Sequence, residues 1–462
     1  MLTRRQALRG VAALAAGLWV AGARAVARPS VILCMADDLG WGDTAYNGHP
    51  HLRTPHLDAM AAAGLRFDRW YSAAPVCSPT RGSCLTGRHP FRYGITHANV
   101  GHLPTGEPNL AAILHREGYA TGHFGKWHLG TLTRDRVEAN RGGRPEHSEH
   151  YAPPWERGFD VCFSTESKVP TYNPMVTPPR GAGGVGGREP GAHYETWYWM
   201  GAGRPVTHPL GGDDSSLIMS RALDFVADAA SAARPFLAVI WFHAPHLPVI
   251  ASRSRRAVYS GLPRDEQHYY GCVTSLDAQM GRLRRALRDM GIADDTMLWF
   301  CSDNGPEGAR RQGRTQGSTG PFRGRKRSLH EGGVRVPGIL EWPSRVAPGA
   351  TEAPCVTSDY LPTVLDAMAL PSPRQPLDGI SLLPLIDRGR AGRETSIGFE
   401  HGEQRSWVDD RYKIITTDGG KSYQLYDLAA DPGEEHELSA ERPETVSTMR
   451  AELEAWRSGW AS

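Results

Sequence analysis

Three uninterrupted apolar runs constrain this chain more than any other feature: SVILCM (Ser30–Met35), FLAVIWF (Phe236–Phe242) and TMLWFCS (Thr296–Ser302). A strand with one wet face alternates apolar and polar residues. A run that is apolar throughout is covered on both faces, as in parallel sheets flanked by helices. Helical patterns fall between the runs. In TPHLDAMAAAGLRF, Leu57, Met60 and Leu65 share one stripe; NLAAILHREGY stops at Gly118, as a C-capped helix does. DDSSLIMSRALDFVADAA opens on Asp and Ser residues suited to N-capping. The alternation predicts an α/β fold with a large, mostly parallel central sheet sandwiched by helices.

The ends of the chain differ in texture. RSWVDDRYKIITTDGGKSYQLYDL breaks short strand-like runs at Asp-Gly-Gly, a hairpin signal, and AERPETVSTMRAELEAWRSGW follows as an amphipathic helix. A small C-terminal α+β subdomain with an antiparallel sheet is therefore expected over 385–462, after a main domain over 26–384. Residues 1–25 read as an export signal. Arg4-Arg5 precede an apolar run, Val11–Ala23, that falls short of the about 20 residues of a membrane span, and Ala23-Arg24-Ala25 fits a cleavage site. This twin-arginine pattern implies a bacterial protein passed to the Tat translocon already folded and delivered to the periplasm or medium, with no stable membrane anchor.

A chain of 462 residues exceeds one small core, and a net charge of +2 gives no footprint for nucleic acid. Gly and Pro, 52 and 35 residues, imply extensive loops, where binding residues gather. The stretch from Lys168 to Gly212, rich in Gly, Pro, Tyr and Trp, is either a substrate-facing insertion or a loosely packed excursion. Seven cysteines, an odd number without a C-x-x-C pair, are neither a disulfide scaffold nor a zinc ribbon. Cys34 and Cys301 lie inside apolar runs, as buried small hydrophobes do.

Polar residues begin where the runs stop. VILCM leads to Asp37-Asp38, MLWFCS to Asp303-Asn304, FLAVIWF to His243 and His246, and YATGHFG to Lys126 and His128. Ligands of open α/β sheets bind beyond the carboxyl ends of the strands, so these edges are expected to converge. Asp37, Asp38, Asp303 and Asn304 are hard oxygen donors, suited to Ca²⁺ or Mg²⁺ rather than Zn²⁺. Lys126 and His128, two apart in an extended segment, would point the same way. Only one of His243 and His246 is expected to reach the site, with His243 structural or substrate-lining; His123 is expected to pack. A divalent cation, fixed positive charges and a general acid or base suit hydrolysis of a phosphate or sulfate ester.

The segment PVCSPTRGSCLTGRHP, Pro75–Pro90, is too rich in Cys, Pro, Arg and Gly for a strand or an ordinary helix. Its CSPTRGSCLTGR resembles the signature C-x-P-x-R of the type I sulfatases, formylglycine-dependent members of the alkaline phosphatase superfamily, followed by their L-T-G-R box. ADDLGWGD, TPHLDAMAAAGLRF, GYATGHFGKWHLG, HAPHLP, SDNG, GRKRSLHEGGVRVP and YQLYDLAADPGE match in order, over nearly the whole mature chain. Thr80 stands where Ser is commoner, and GRKRSLHEGG is more basic than usual.

The resemblance implies that a maturation enzyme converts Cys77 to formylglycine, whose hydrate attacks sulfur. It places the cation on Asp37, Asp38, Cys77, Asp303 and Asn304, with Asp303 accepting the nucleophile's proton. Arg81, Lys126 and Lys326 would stabilise charge on the sulfate oxygens and the diol. His246 would protonate the leaving alcohol, assisted by Lys326, and His128 would deprotonate the second hydroxyl to expel sulfate. The implied substrate is a sulfate monoester, of a carbohydrate given the aromatic-rich ETWYWMGAG. A phosphate or phosphonate ester hydrolase of the same superfamily and a non-catalytic sulfated-glycan-binding protein are the alternatives.

Overall fold

The computed structural model describes residues 28–182, 187–308, 315–389 and 392–460; the export-signal segment lies outside them. The three apolar runs become neighbouring strands of one sheet. Among the described residues this sheet has eight strands: β1 (Ser30–Ala36), β2 (Leu65–Phe67), β3 (Ala120–Lys126), β4 (Val161–Thr165), β5 (Phe236–Trp241), β6 (Thr296–Ser302), β7 (Gly338–Glu341) and β8 (Gly349–Thr351). Their spatial order is β8-β2-β7-β6-β1-β5-β3-β4. The block β6-β1-β5-β3-β4 is parallel throughout, and β7 joins it antiparallel. The carboxyl ends of β1, β3, β5 and β6 therefore share one edge.

Side-chain alternation explains why the runs are apolar at every position. Ile32, Cys34 and Ala36 face one core with Phe236, Ala238, Ile240, Leu298 and Phe300. Val31, Leu33 and Met35 face the other with Leu237, Val239, Trp241, Met297 and Trp299. Helices α1 (Pro55–Ala63), α4 (Asp214–Ser231) and α5 (Arg264–Asp289) cover the first face; α2 (Cys77–Thr86), α3 (Leu110–Arg116) and α6 (Tyr360–Ala367) cover the second. Each fully buried aliphatic or aromatic side chain in these layers contributes about 2 kcal/mol of transfer free energy. Asn109 caps α3 by accepting from Ala111 N–H, and Asp213 caps α4 by accepting from Ser216 N–H. One expectation fails locally: α1 ends at Ala63, and Leu65 belongs to β2 rather than to the helix stripe.

The C-terminal sheet is an antiparallel meander of β9 (Ile397–His401), β10 (Gln404–Val408), β11 (Tyr412–Thr416) and β12 (Gln424–Asp427). Gly419 and Gly420, both at positive φ, make the turn that Asp-Gly-Gly signals. Phe399, Val408, Ile415 and Tyr426 pack on Leu329, Val334 and Val356 of the main body. Trp407, Ile414 and Leu425 pack on Met449 and Leu453 of the final helix, α7 (Pro443–Ser458). No helix among the described residues is long and apolar enough to cross a membrane.

Candidate active site

The four strand edges meet. Beyond β1, Asp37 N–H donates to Ala244 O at 3.0 Å, tying the edge to β5's extension. Asp38, at φ 66°, donates its N–H to Asp303 Oδ1 at 3.1 Å, and Asp303 N–H returns to Ala36 O at 3.1 Å. Asn304 donates from Nδ2 to Asp38 Oδ1 at 2.7 Å, while its own Oδ1 is buried without a partner. Gly125 closes β3 at φ 102°, where a Cβ would meet Trp241 O at 1.9 Å, so only glycine lets this strand deliver Lys126 against β5.

The Cys77 segment corrects the reading from composition: it is an α-helix with all ten residues buried. Pro79 is tolerated because it lies in the first turn, where backbone N–H groups have no helical acceptor. Cys77 heads the helix with Sγ 3.6 Å from Asp37 Oδ1. One turn on, the buried Arg81 donates from Nε and Nη2 to Asp303 Oδ2 at 3.0 and 2.6 Å, and from Nη1 to Lys126 O at 3.0 Å. Its guanidinium thus holds the helix against two strand edges.

Basic side chains crowd the carboxylates, although burial holds His246 well below the usual imidazole range. Lys126 Nζ donates to Asp37 Oδ2 at 2.7 Å, Lys326 Nζ lies 2.6 Å from Asp38 Oδ1, and His246 Nε2 lies 3.7 Å from Asp38 Oδ2. Burial alone would raise the Asp38 carboxyl, but the charges of Lys326, His246 and Lys126 outweigh it and hold the group well below the usual carboxylate range. Asp303 goes the other way: burial and the Asp37 charge push it up to about 6 against the pull of Arg81. Burial and the Asp303 charge push the Cys77 thiol up to about 12, which leaves an unmodified thiol almost wholly protonated at neutral pH.

Asp37, Asp38, Cys77 and His246 each bring one ligand atom within 4.8 Å of the others. Of the residues expected to hold a cation, Asp37, Asp38 and Cys77 are in this group, and the orphaned buried Asn304 Oδ1 adds a hard donor beside it. Asp303 adjoins it with both oxygens already accepting from Arg81 and Asp38. Two carboxylates and a free amide oxygen fit a hard divalent cation.

Above this floor opens a cavity of about 600 Å³. Cys77, Lys126, His128, His246 and Lys326 line it, and among the described lining residues there is no carboxylate. His128 has φ 58°, so it is not in an extended segment with Lys126, yet both reach the cavity. His243 does not: it is spent between Thr165 Oγ1 at 2.7 Å and Asp214 Oδ2 at 2.8 Å. His123 is buried edge-on against Trp127 and Trp241, with Nδ1 on Ser164 Oγ. The Gly-rich insertion forms a wall through Lys168, Arg188, Tyr194 and Thr196. Lys168 is half-buried with no acidic partner among the described residues; burial and the charges of Lys126, Lys326 and Arg188 lower its pKa. Sequence reasoning overlooked Lys168, Asn99 and Asn140. Only Lys168 had a signal, since it follows the carboxyl end of β4.

Residues 29–370 match the family model described as Sulfatase, and residues 320–458 match that of the N-sulphoglucosamine sulphohydrolase C-terminal region. Human arylsulfatase A is 31% identical over 95% of this chain and 88% of its own length. Pig N-acetylgalactosamine-6-sulfatase is 30% identical over 94% and 86%. The crystal structure of Ps i-CgsB in complex with k-i-k-neocarrahexaose superposes with a TM-score of 0.78 at 27% identity, covering 93% of this chain and 92% of that one.

Proposed function

The chain belongs to the sulfatase family of sulfuric ester hydrolases, and from that premise we propose that it releases inorganic sulfate from sulfate monoesters of saccharides, with residue 77 acting as formylglycine. The observation that carries this is the placing of Cys77 at a buried helix start, at the foot of a cavity whose described lining holds lysine, arginine and histidine but no acid. Such a lining recognises an oxyanion, and a volume of about 600 Å³ falls within the roughly 300–1,000 Å³ of small-ligand sites. The relative named N-acetylgalactosamine-6-sulfatase and the k-i-k-neocarrahexaose complex of Ps i-CgsB support a saccharide.

Once oxidised and hydrated, the side chain at 77 supplies an oxygen nucleophile, and a Ca²⁺ or Mg²⁺ ion on Asp37, Asp38, Asp303 and Asn304 would offset sulfate charge and acidify that oxygen. The remaining roles belong to the protein. Lys126 and Lys326, already hydrogen-bonded to Asp37 and Asp38, present preorganised positive charge to the ester oxygens without reorganisation during reaction. Arg81 orients Asp303, which takes the nucleophile's proton. His246, its Nδ1–H donated to Leu247 O at 2.6 Å, gives the departing alcohol a proton from Nε2 once the ring is charged, and His128 takes one to expel sulfate. Catalysis resides in residues 26–384, with 385–462 as a supporting subdomain, and residues 1–25 direct export.

The test is sulfate release from mono- and disaccharides sulfated at defined positions, by wild type and Cys77→Ala produced with a formylglycine-generating enzyme. Loss of release in the variant, with an aldehyde mass at residue 77 in the wild type, is expected. Undiminished release by Cys77→Ala overturns the proposal. Faster turnover of phosphate or phosphonate esters would move the chain to that chemistry, and sugar binding without turnover to a binding role.

A further inference from the structure

In the proposed reaction His128 accepts a proton, and the following inference rests on that role. A neutral imidazole carries one N–H and one lone pair, and the partner of one nitrogen decides which is which. His128 Nε2 lies 2.8 Å from Asn99 Oδ1, whereas Nδ1 is buried and has no partner among the described residues. Everything turns on which Asn99 atom faces the ring, because amide oxygen and nitrogen are alike in shape.

A chain of contacts ending on a carboxylate answers it. Glu166 accepts backbone N–H groups on both oxygens, from Arg141 on Oε1 at 3.1 Å and from Gly142 on Oε2 at 2.7 Å. Burial and the Glu166 charge push buried Glu138 beside it well above the usual carboxylate range, which favours Glu166, with its two backbone donors, as the acceptor of the pair. The Asn140 atom 3.1 Å from Glu166 Oε1 is therefore its amide nitrogen, and that nitrogen's other hydrogen reaches Asn99 at 2.7 Å. Asn99 must then turn its carbonyl oxygen to both neighbours, and a carbonyl only accepts. His128 is left to donate from Nε2.

We infer that Asn99 and Asn140 are positioning residues that hold neutral His128 as its Nε2–H tautomer and so reserve Nδ1 as the lone pair that takes the proton. The backbone supports the arrangement: Asn99 and His128 both hold positive φ, 66° and 58°. Arg141 Nη1 clamps the Asn99 loop through Asn99 O at 3.1 Å and Gly101 O at 2.9 Å. The basic groups facing His128 are Lys126, Arg81, Arg141 and His246, the last held well below the usual imidazole range by burial. A neutral amide acceptor keeps the ring uncharged among them, where a carboxylate would favour the imidazolium.

The test is ¹⁵N–¹H correlation NMR of the histidine rings in the full-length enzyme, with His128 assigned from a His128→Gln variant, beside kinetics of sulfate release. Wild type is expected to show protonated Nε2 and bare Nδ1. Asn99→Leu should mix the tautomers and lower kcat roughly two- to tenfold, the net worth of one hydrogen bond, with KM little changed. Asn99→Asp should shift the acid limb of the kcat profile to higher pH. Asn140→Leu, acting one link away, should reproduce the tautomer change if Asn99→Leu fails to fold. A wild-type Nδ1–H signal, or an unchanged tautomer in both leucine variants, overturns the inference. The NMR needs no turnover, so an enzyme inactive on sulfate esters yet showing Nε2–H would sink the proposed reaction and leave the tautomer assignment standing.

Discussion

Replacing Lys413 by methionine should cost about 3–5 kcal/mol of stability at neutral pH and much less in acid. Lys413 Nζ lies 2.9 Å from Glu331 Oε1 and 2.9 Å from Glu434 Oε1, and none of the three side chains is exposed. Methionine keeps the stem's volume but removes the cation, leaving Glu331, among the described residues, Arg335 at 3.4 Å and Tyr71. Stranding a buried charge by deleting its partner costs about 3–5 kcal/mol. Burial opposes ionisation of Glu434, yet Lys413 and His330 together bring its pKa from 4.5 down to about 2; that depression converts to about 3 kcal/mol. Because the folded pKa is depressed, this stabilisation is present above about pH 4.5 and disappears as the pH falls toward about 2. The variant keeps only the share that His330 supplies, so the gap between the two proteins must narrow in acid. Equilibrium urea unfolding followed by tryptophan fluorescence, at about pH 7 and about pH 2, reads that gap. A difference below about 1 kcal/mol at neutral pH, or one undiminished at about pH 2, refutes the reasoning.

Two further outcomes are expected. Lys168→Met should raise KM for a sulfated saccharide about tenfold with kcat nearly unchanged, since a half-buried cation without an acidic partner binds substrate and transition state alike; an unchanged KM at low ionic strength would remove Lys168 from the binding wall. Stripping divalent cations with a chelator, checked by elemental analysis, should abolish sulfate release until Ca²⁺ or Mg²⁺ is restored, and full activity in verified metal-free protein would remove the cation from the chemistry.

The central sheet was legible because its signal is redundant. A residue buried on both faces of a parallel strand must be apolar, and β1, β5 and β6 obey apart from the Ser and Thr residues at the ends of β1 and β6. The same logic located the site, since a strand that stops being apolar has reached the sheet's edge. It would have found Lys168 too, had β4 been recognised in VCFST. Composition misled at Cys77, because Pro and Gly are helix breakers only in the interior: Pro79 lies in the first turn, and Gly82 is demanded by Tyr93 Oη, 2.5 Å from where its Cβ would be. Asn99 and Asn140 were invisible for a different reason. Their work depends on a chain of amide orientations spanning residues 99 to 166, and no local spacing encodes which way an amide faces.

The C-terminal unit, read from sequence as an appendage, has a physical link to the chemistry. The basic loop bearing Lys326 is pinned at several points: Lys326 N–H donates to Pro306 O at 3.1 Å, and Arg327 N–H to Pro75 O at 2.9 Å, two residues before Cys77. From the other side, Gln404 of β10 accepts from Leu329 N–H at 2.9 Å and donates to Arg327 O at 2.8 Å. Below the loop, Lys413 of β11 meets Glu331, whose N–H donates to Glu434 at 2.7 Å. One small sheet thus grips the loop's far end while the strand edges grip its near end, and Lys326 Nζ is held 2.6 Å from Asp38. A long, flexible lysine stem loses side-chain entropy when fixed on a carboxylate, and that loss is smaller when the backbone carrying it is already immobile. If Lys326 acts as proposed, the subdomain's contribution to catalysis is the rigidity of that one lysine, which needs no C-terminal side chain inside the cavity.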